Sequence, residues 1–154
     1  MSDPVGKQLG CTCFKLRKLT RAMSRLYDQH MAKVGLKTTQ YSLLSNAARG
    51  ALPVAELAER LGMERTTLTR NLKPLVDAGW LEMKAGADSR QRIVTITDAG
   101  REKQLQAYAV WRAAQTDIET LLGYDNVRAL HQQLESTLIQ LTPLLEELSH
   151  AHPE

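Results

Sequence analysis

The chain of 154 residues has few of the features that membrane-bound or disulfide-stabilised proteins depend on. Its two cysteines, Cys11 and Cys13, lie too close together to build a disulfide framework. No apolar run approaches the roughly 20 residues that a membrane-spanning helix needs. The first ten residues lack the apolar segment of a signal peptide. We therefore expect a cytoplasmic protein.

Patterns of a catalytic site are also missing from the sequence. We find no nucleophile paired with a base, no phosphate-binding loop and no spaced set of metal ligands, and an enzyme of this length would need some such set. A metal chelate at Cys11 and Cys13 would need His30 or a carboxylate to join them, which is the weaker alternative. We expect no enzyme, no cofactor and no metal, with thiol peroxidase activity at Cys13 as the one chemistry to consider.

Charge is distributed unevenly along the chain. Residues 1–49 carry nine Lys and Arg against two Asp and Glu, whereas residues 93–154 carry four against nine. A basic front part suggests a polyanionic partner, although a solvated basic helix face would give the same composition.

Periodicity predicts a mainly helical protein with one small β-hairpin. Apolar residues spaced by three and four predict helices at 13–34, 38–49, 54–61, 63–79, 97–122 and 125–149. We expect Gly35 to end the first helix in a left-handed conformation and Pro53 to lie in the first turn of the third. In the second helix, Thr38 or Thr39 should be the cap, and the inward residues should be Tyr41, Leu44 and Ala48. Residues 80–84 and 92–96 alternate as strands do, around a loop rich in Gly, Asp and Ser. Two short helices joined at Gly62 are typical of a helix-turn-helix. The expected fold is a winged helix-turn-helix lobe at 52–96, with 11–50 and 98–149 forming a helical dimerisation region.

The fourth helix carries side chains suited to reading DNA. With Leu68, Leu72 and Leu75 turned inward, the outer face presents Arg65, Thr66, Thr69, Arg70 and Lys73, with Thr67 and Asn71 at its edges. Arginine and asparagine make bidentate contacts with base edges, threonine offers a hydroxyl and a methyl, and lysine suits phosphate.

The hairpin supports the same interpretation. Its loop carries Asp88, Ser89, Arg90 and Arg92, and an arginine at such a tip can enter a minor groove. Asp88 can hold a neighbouring arginine through a charge-assisted bond. Any one arginine alone is usually just a surface cation, but the combination predicts a double-stranded DNA partner. An interaction module that has lost DNA binding is the alternative, and Arg70, Arg90 and Arg92 argue against it.

These residues resemble the MarR family of winged-helix transcriptional regulators. The strongest match is ELAERLGMERTTLTRNLKPLVDAGWLE, followed by ADSRQRIVTITDAGR, whose Asp88-Ser89-Arg90 is similar to the Asp-x-Arg of the family's wing. The resemblance implies a homodimer on a palindromic operator, in the nucleoid, with repression relieved by a small molecule or by oxidation. Pro53 and Glu64 depart from the family, which more often has helix-capping residues there.

The first helix is similar to that of the family's organic-hydroperoxide sensors. There Cys13 takes the place of the sensing cysteine, and Tyr27 matches one of two surrounding tyrosines, whereas Arg17 replaces the other. A structural role for Cys13 as a small apolar residue is the alternative. The family also implies a pocket for an aromatic ligand between the first, second and fifth helices, to which Arg17, Tyr41, Tyr108 and Trp111 would contribute.

Overall fold

The computed structural model describes residues 10–151. It contains six α-helices and one three-stranded antiparallel sheet within those residues, and this confirms the predicted fold class. The elements are α1 (Thr12–Met31), a 3-10 turn (Ala32–Val34), α2 (Thr38–Ala47), β1 (Leu52–Pro53), α3 (Val54–Leu61), α4 (Arg65–Asp77), β2 (Leu81–Ala85), β3 (Arg92–Ile96), α5 (Asp98–Leu122) and α6 (Tyr124–Ala151).

The first helix begins one residue earlier than the sequence suggests. Cys11 is its N-cap, in extended conformation, and the Cys11 thiol accepts a hydrogen bond from the Phe14 N–H at 3.4 Å. Cys13 therefore lies inside the first turn rather than at the helix start. Gly35 ends the following 3-10 turn with a φ of 67°, as predicted, because glycine adopts this left-handed conformation without strain.

Helix α2 is capped by the helix that precedes it. Asp28 accepts hydrogen bonds from both the N–H and the hydroxyl of Thr38, each at 2.7 Å. Thr38 is thus the first helical residue of α2. Its hydroxyl donates to Asp28 and does not accept an N–H of its own helix, as a capping side chain would. The inward residues are Tyr41, Leu43, Leu44 and Ala47, so Ala47 takes the buried position that we had given to Ala48.

The sheet has one more strand than the predicted hairpin. Pro53, expected in the first turn of α3, is instead its N-cap and pairs with Ile93 as part of β1. The strand order is β1-β3-β2. Proline is tolerated there because β1 is an edge strand, whose outer side needs no N–H for a ladder bond.

The start of α5 is fastened to the end of α4. Thr97 caps α5 through a 3.0 Å bond from the Gly100 N–H, and its hydroxyl also lies 2.7 Å from the Gly79 carbonyl oxygen. Gly100 is buried so closely that a Cβ there would collide with the carbonyl oxygen of Trp80. These contacts fix the start of α5 against the end of the helix-turn-helix.

Packing divides the chain into two compact units, up to Ala114 and from Gln115 onward. The first contains one hydrophobic core, to which α2, α3, α4 and the sheet contribute; its most buried side chains include Met31, Leu43, Leu44, Leu57, Leu68, Leu72, Leu75, Leu81 and Val94. In the second, α6 exposes a row of leucines along much of its length, among them Leu138 at 63% and Leu145 at 55%. Within the described residues, no helix is both long enough and apolar enough to cross a membrane.

Candidate nucleic-acid interface

Helix α4 separates its apolar and polar residues cleanly. Leu68, Leu72 and Leu75 are each 0% exposed, and their burial fixes the rotation of the helix on the core. The remaining faces carry the predicted DNA-binding residues of this helix, which are all exposed: Arg65, Thr66, Thr67, Thr69, Arg70 and Lys73. Asn71 is half-buried at the edge of that surface.

Two of these side chains already have partners in the free protein. The Thr69 hydroxyl donates to the Arg65 carbonyl at 2.9 Å, which leaves its methyl group and its oxygen lone pairs for another molecule. Lys73 lies 2.7 Å from Asp77, and both side chains are more than half exposed. An exposed pair one helical turn apart stabilises a helix by only about 0.3–0.5 kcal/mol, so Lys73 can exchange Asp77 for a phosphate at little cost.

The wing loop is ordered by bonds around Asp88. Its carboxylate accepts the Arg90 backbone N–H at 3.0 Å, and its carbonyl accepts the Gln91 N–H at 2.9 Å. We had expected Asp88 to hold an arginine guanidinium. The carboxylate instead makes the short-range turn that aspartate favours, because the backbone N–H two residues on is within easier reach. This turn places Ser89 and Arg90 at the exposed tip.

A concave surface of about 470 Å³ lies between α4 and the wing, and we call it the α4–wing groove. It is lined by Pro53, Val54, Ala55, Arg65, Thr69, Asp88, Arg90, Gln91 and Arg92. Five of these residues were predicted to bind DNA, and they lie up to 27 positions apart in the sequence: Arg65, Thr69, Asp88, Arg90 and Arg92. Three guanidinium groups against one carboxylate give the groove a net positive charge, which favours an anionic chain such as a phosphodiester backbone.

A second hollow of about 430 Å³ follows the other flank of α4, and we call it the α4–β2 pocket. Its lining consists of Thr66, Thr69, Arg70, Lys73, Val76, Asp77 and Met83. Every predicted DNA-binding residue except Thr67 and Ser89 thus lines one of the two hollows. The sequence did not predict four other lining residues, because neither their residue types nor their spacing indicates a binding surface: Pro53, Gln91, Val76 and Met83.

The predicted effector residues are only partly brought together. Tyr41 is 8% exposed, and its ring lies 6.3 Å from that of Trp111, which stacks in turn on Tyr108 at 5.9 Å. Cys13 and Arg17 are exposed near the start of α1. Tyr27 lies 14 residues further along α1 than Cys13, or about 21 Å at 1.5 Å per residue, so these two side chains cannot meet within one protomer.

No group of three or more potential metal-ligating side chains occurs among residues 10–151. Both cysteines are free and exposed in the single chain.

Comparison with known proteins identifies the family. A model described as MarR family matches residues 34–91, which span α2, the helix-turn-helix and most of the wing. The solved structure of the M. tuberculosis transcriptional regulator MOSR, in complex with DNA, is 32% identical in sequence. That match covers 82% of this chain and 98% of MOSR, with a TM-score of 0.69. The chain belongs to the MarR family of transcriptional regulators.

More distant members of the family have the same fold. A mutant of E. coli MarR in complex with operator DNA has a TM-score of 0.74 at 22% identity, over 82% of this chain and 92% of MarR. YwoH of Bacillus subtilis, an uncharacterized HTH-type transcriptional regulator, is 26% identical over 58% of this chain. The match spans 66% of YwoH, slightly less than two thirds of that relative.

Proposed function

We propose that this MarR-family regulator binds double-stranded DNA in a sequence-specific manner, as a homodimer on a palindromic operator, and acts as a repressor. The observation that carries the proposal is the α4–wing groove, because it joins Arg65 and Thr69 of α4 to Arg90 and Arg92 of the wing. A helix in the major groove and a hairpin in the adjacent minor groove are separated by one DNA strand, whose phosphates would lie along such a groove.

Roles for individual residues follow from their positions. Arg70, with Thr66 and Thr69, would contact base edges, while Arg65 and Lys73 would contact phosphate. Arg90 at the exposed wing tip would enter the minor groove. The solved complexes of MOSR with DNA and of a MarR mutant with operator DNA support a DNA partner for this chain.

Two apolar surfaces support the dimer. Phe14, Leu16 and Leu19 are 41–61% exposed on α1, and the exposed leucines of α6 repeat at steps of three and four, as in a helical seam. Burying a leucine side chain stabilises an association by about 1.5–3 kcal/mol, so several such residues favour a partner of the same kind. The two-fold axis would then place two α4 helices one DNA turn apart, at about 34 Å.

Binding to DNA from upstream of the regulator's own gene, measured by fluorescence anisotropy, tests the proposal. We expect Arg70→Ala to weaken binding by about 5- to 150-fold, since a good bidentate pair contributes about 1–3 kcal/mol. Arg90→Ala should also weaken binding, because it removes the minor-groove contact. Arg60→Ala is the matched control, because Arg60 pairs with Glu56 on α3 and lines neither hollow. Equal affinity of all four proteins would refute the assigned interface.

Release from DNA would come from a small ligand or from oxidation of Cys13. In the redox route, the Cys13 thiolate attacks the terminal oxygen of an organic hydroperoxide, the O–O bond breaks, and sulfenic acid and an alcohol form. The exposed thiol in the first turn of α1 supports this route, because an oxidant can reach it from solvent. Tyr27 can contribute to the site only from the other protomer, as the distance along α1 requires.

Oxidation is tested by repeating the DNA titration after treatment with cumene hydroperoxide. We expect wild type to lose affinity and Cys13→Ser to keep it, with Cys11→Ser as the matched cysteine control. If wild type and Cys13→Ser bind equally before and after treatment, Cys13 is not the sensor. A ligand near Tyr41 and Trp111 would then be the remaining route.

A further inference from the structure

A two-residue segment between α4 and β2, Gly79 and Trp80, forms hydrogen bonds in two directions. The N–H groups of Gly79 and Trp80 donate to the carbonyl oxygens of Val76 and Leu75, at 2.9 and 3.0 Å, in the last turn of α4. Their own carbonyl oxygens accept hydrogen bonds from Thr97, the residue before α5. We call Gly79 and Trp80 the α4–α5 joint, because directional bonds link this segment to both helices.

Thr97 makes the hydrogen bonds on the α5 side of the joint. Its hydroxyl donates to the Gly79 carbonyl oxygen at 2.7 Å, with the Trp80 carbonyl oxygen 3.2 Å away, and accepts the Gly100 N–H at 3.0 Å. The Thr97 N–H donates to the Trp80 carbonyl oxygen at 3.1 Å. The Lys103 ammonium lies 5.0 Å from the centroid of the Trp80 ring, within the range of a cation–π contact. One hydroxyl therefore contacts the end of α4 and the first turn of α5 together.

The direction of α4 depends on this joint. Leu68, Leu72 and Leu75 hold α4 on the core by apolar packing, which is non-directional, whereas the hydrogen bonds of the joint are directional. The 13 residues of α4 extend about 20 Å, so a tilt of about 10° at the joint would move the Arg65 end by about 3.5 Å. This displacement is close to the rise of one base pair, about 3.4 Å. A small change at the joint is therefore enough to change how two α4 helices fit one duplex.

We propose that Thr97 is a positioning residue for DNA binding. Through the α4–α5 joint it fixes the direction of α4 against α5, and so sets the spacing of half-sites that the regulator accepts. The inference rests on the proposed function, because spacing matters only when two α4 helices contact one operator. Thr97 lines neither the α4–wing groove nor the α4–β2 pocket, so its effect on DNA binding is indirect.

Operators with altered spacing test this role. The upstream DNA is compared with two duplexes in which one base pair is added or removed between the half-sites. Each change moves the half-sites by about 3.4 Å and rotates them by roughly 34–36° relative to each other. We define the spacing ratio as the affinity for the native duplex divided by the affinity for an altered one, both measured by fluorescence anisotropy. Because the same protein sample enters both affinities, this ratio does not depend on the fraction of folded protein.

We expect a spacing ratio of about ten or more for wild type, because the altered duplexes must be deformed to meet both α4 helices. In Thr97→Val the ratio should fall by about fivefold, the factor that corresponds to one net hydrogen bond. Thr97→Ser keeps the hydroxyl and should keep the wild-type ratio. Thr120→Val is the matched control, because the exposed Thr120 hydroxyl bonds the Thr116 carbonyl oxygen later in α5. A loss of stability alone would lower the affinity for all three duplexes by the same factor.

Spin labels report the position of α4 without DNA. We would attach one label through Thr67→Cys, at an exposed position of α4, in a Cys11→Ser/Cys13→Ser background. Pulsed electron spin resonance then measures the distance between the two labels of a dimer. With Thr97→Val the distribution of distances should broaden by about 3 Å or more, the displacement worked out from the length of α4. With Thr97→Ser or Thr120→Val the distribution should keep its original width.

Either of two results would overturn the inference: a distance distribution or a spacing ratio that Thr97→Val leaves unchanged. Failure of the proposed function is seen in wild type instead. A wild-type protein that binds no upstream DNA, or binds all three duplexes equally, would refute two half-sites on one operator, and labels that show no dipolar coupling would refute the dimer. These results would overturn the inference together with the function, whereas a failure confined to Thr97→Val would overturn the inference alone.

Discussion

Replacing Gly100 by alanine sets two physical effects against each other. Gly100 lies in the first turn of α5, and its φ is not in the positive region, so helix propensity favours alanine there by about 1 kcal/mol. The added Cβ would, however, collide with the Trp80 carbonyl oxygen and lie 2.8 Å from Cγ1 of Ile96. The Trp80 carbonyl cannot turn aside, because it accepts the Thr97 N–H at 3.1 Å.

The steric effect should exceed the propensity effect. Forcing an extra carbon into a packed site usually costs about 1–3 kcal/mol and occasionally more, and contact with backbone is the severe case. We expect Gly100→Ala to lower the free energy of unfolding by about 2 kcal/mol after the gain in propensity is subtracted. In a protein of this size the melting temperature would fall by roughly 4–8 °C.

Urea denaturation followed by circular dichroism measures the change. All variants are compared at one protein concentration, because the stability of the proposed dimer would depend on it. Ala99→Gly is the matched control. Ala99 is exposed in the same turn, so this change reports the local propensity effect alone, about 1 kcal/mol or less. If Gly100→Ala were as stable as wild type or more stable, the close approach of α5 to Trp80 would be wrong.

Three further predictions test particular hydrogen bonds and charges. Asp88→Asn keeps an acceptor for the Arg90 N–H, whereas Asp88→Ala does not. Fluorescence anisotropy should therefore show that the alanine variant binds DNA about fivefold more weakly than the asparagine variant. Equal affinities would mean that the hydrogen bond between Asp88 and Arg90 does not contribute to DNA binding. Asp28→Ala removes the carboxylate oxygen that accepts both hydrogen bonds from Thr38, so urea denaturation should show a loss of about 1–2 kcal/mol in the free energy of unfolding. An unchanged midpoint would contradict this cap. Lys73→Gln should reduce the steepness of a plot of log DNA affinity against log salt concentration by about 1. An unchanged slope would show that Lys73 does not contact a phosphate.

Much of the fold is predictable from local patterns. The leucines of α4 repeat at steps of four and three, and the glycines at 35, 62, 79 and 123 each adopt a positive φ where an element ends. These features depend on residues a few positions apart, so the sequence reports them directly. The same holds for Thr97, whose hydroxyl caps the helix that begins beside it.

Errors of prediction arose where a distant residue decided the outcome. Thr38 or Thr39 was expected to cap α2, but Asp28 of the preceding helix accepts the Thr38 N–H instead. Pro53 was expected inside α3, but pairing with Ile93, 40 residues away, draws it into β1. Neither partner can be identified from spacing along the chain, because both contacts form only when separate elements pack together.

The candidate DNA-binding site divides in the same way. The sequence alone determined which residue types lie on the outer face of α4 and at the wing tip, because a helical period and a hairpin turn are local properties. Only the tertiary structure decided that Arg65 and Arg90 line one groove, and that Val76 and Met83 line another hollow. Those distances depend on how β2 and β3 pack against α4, which is the outcome of burying one shared core.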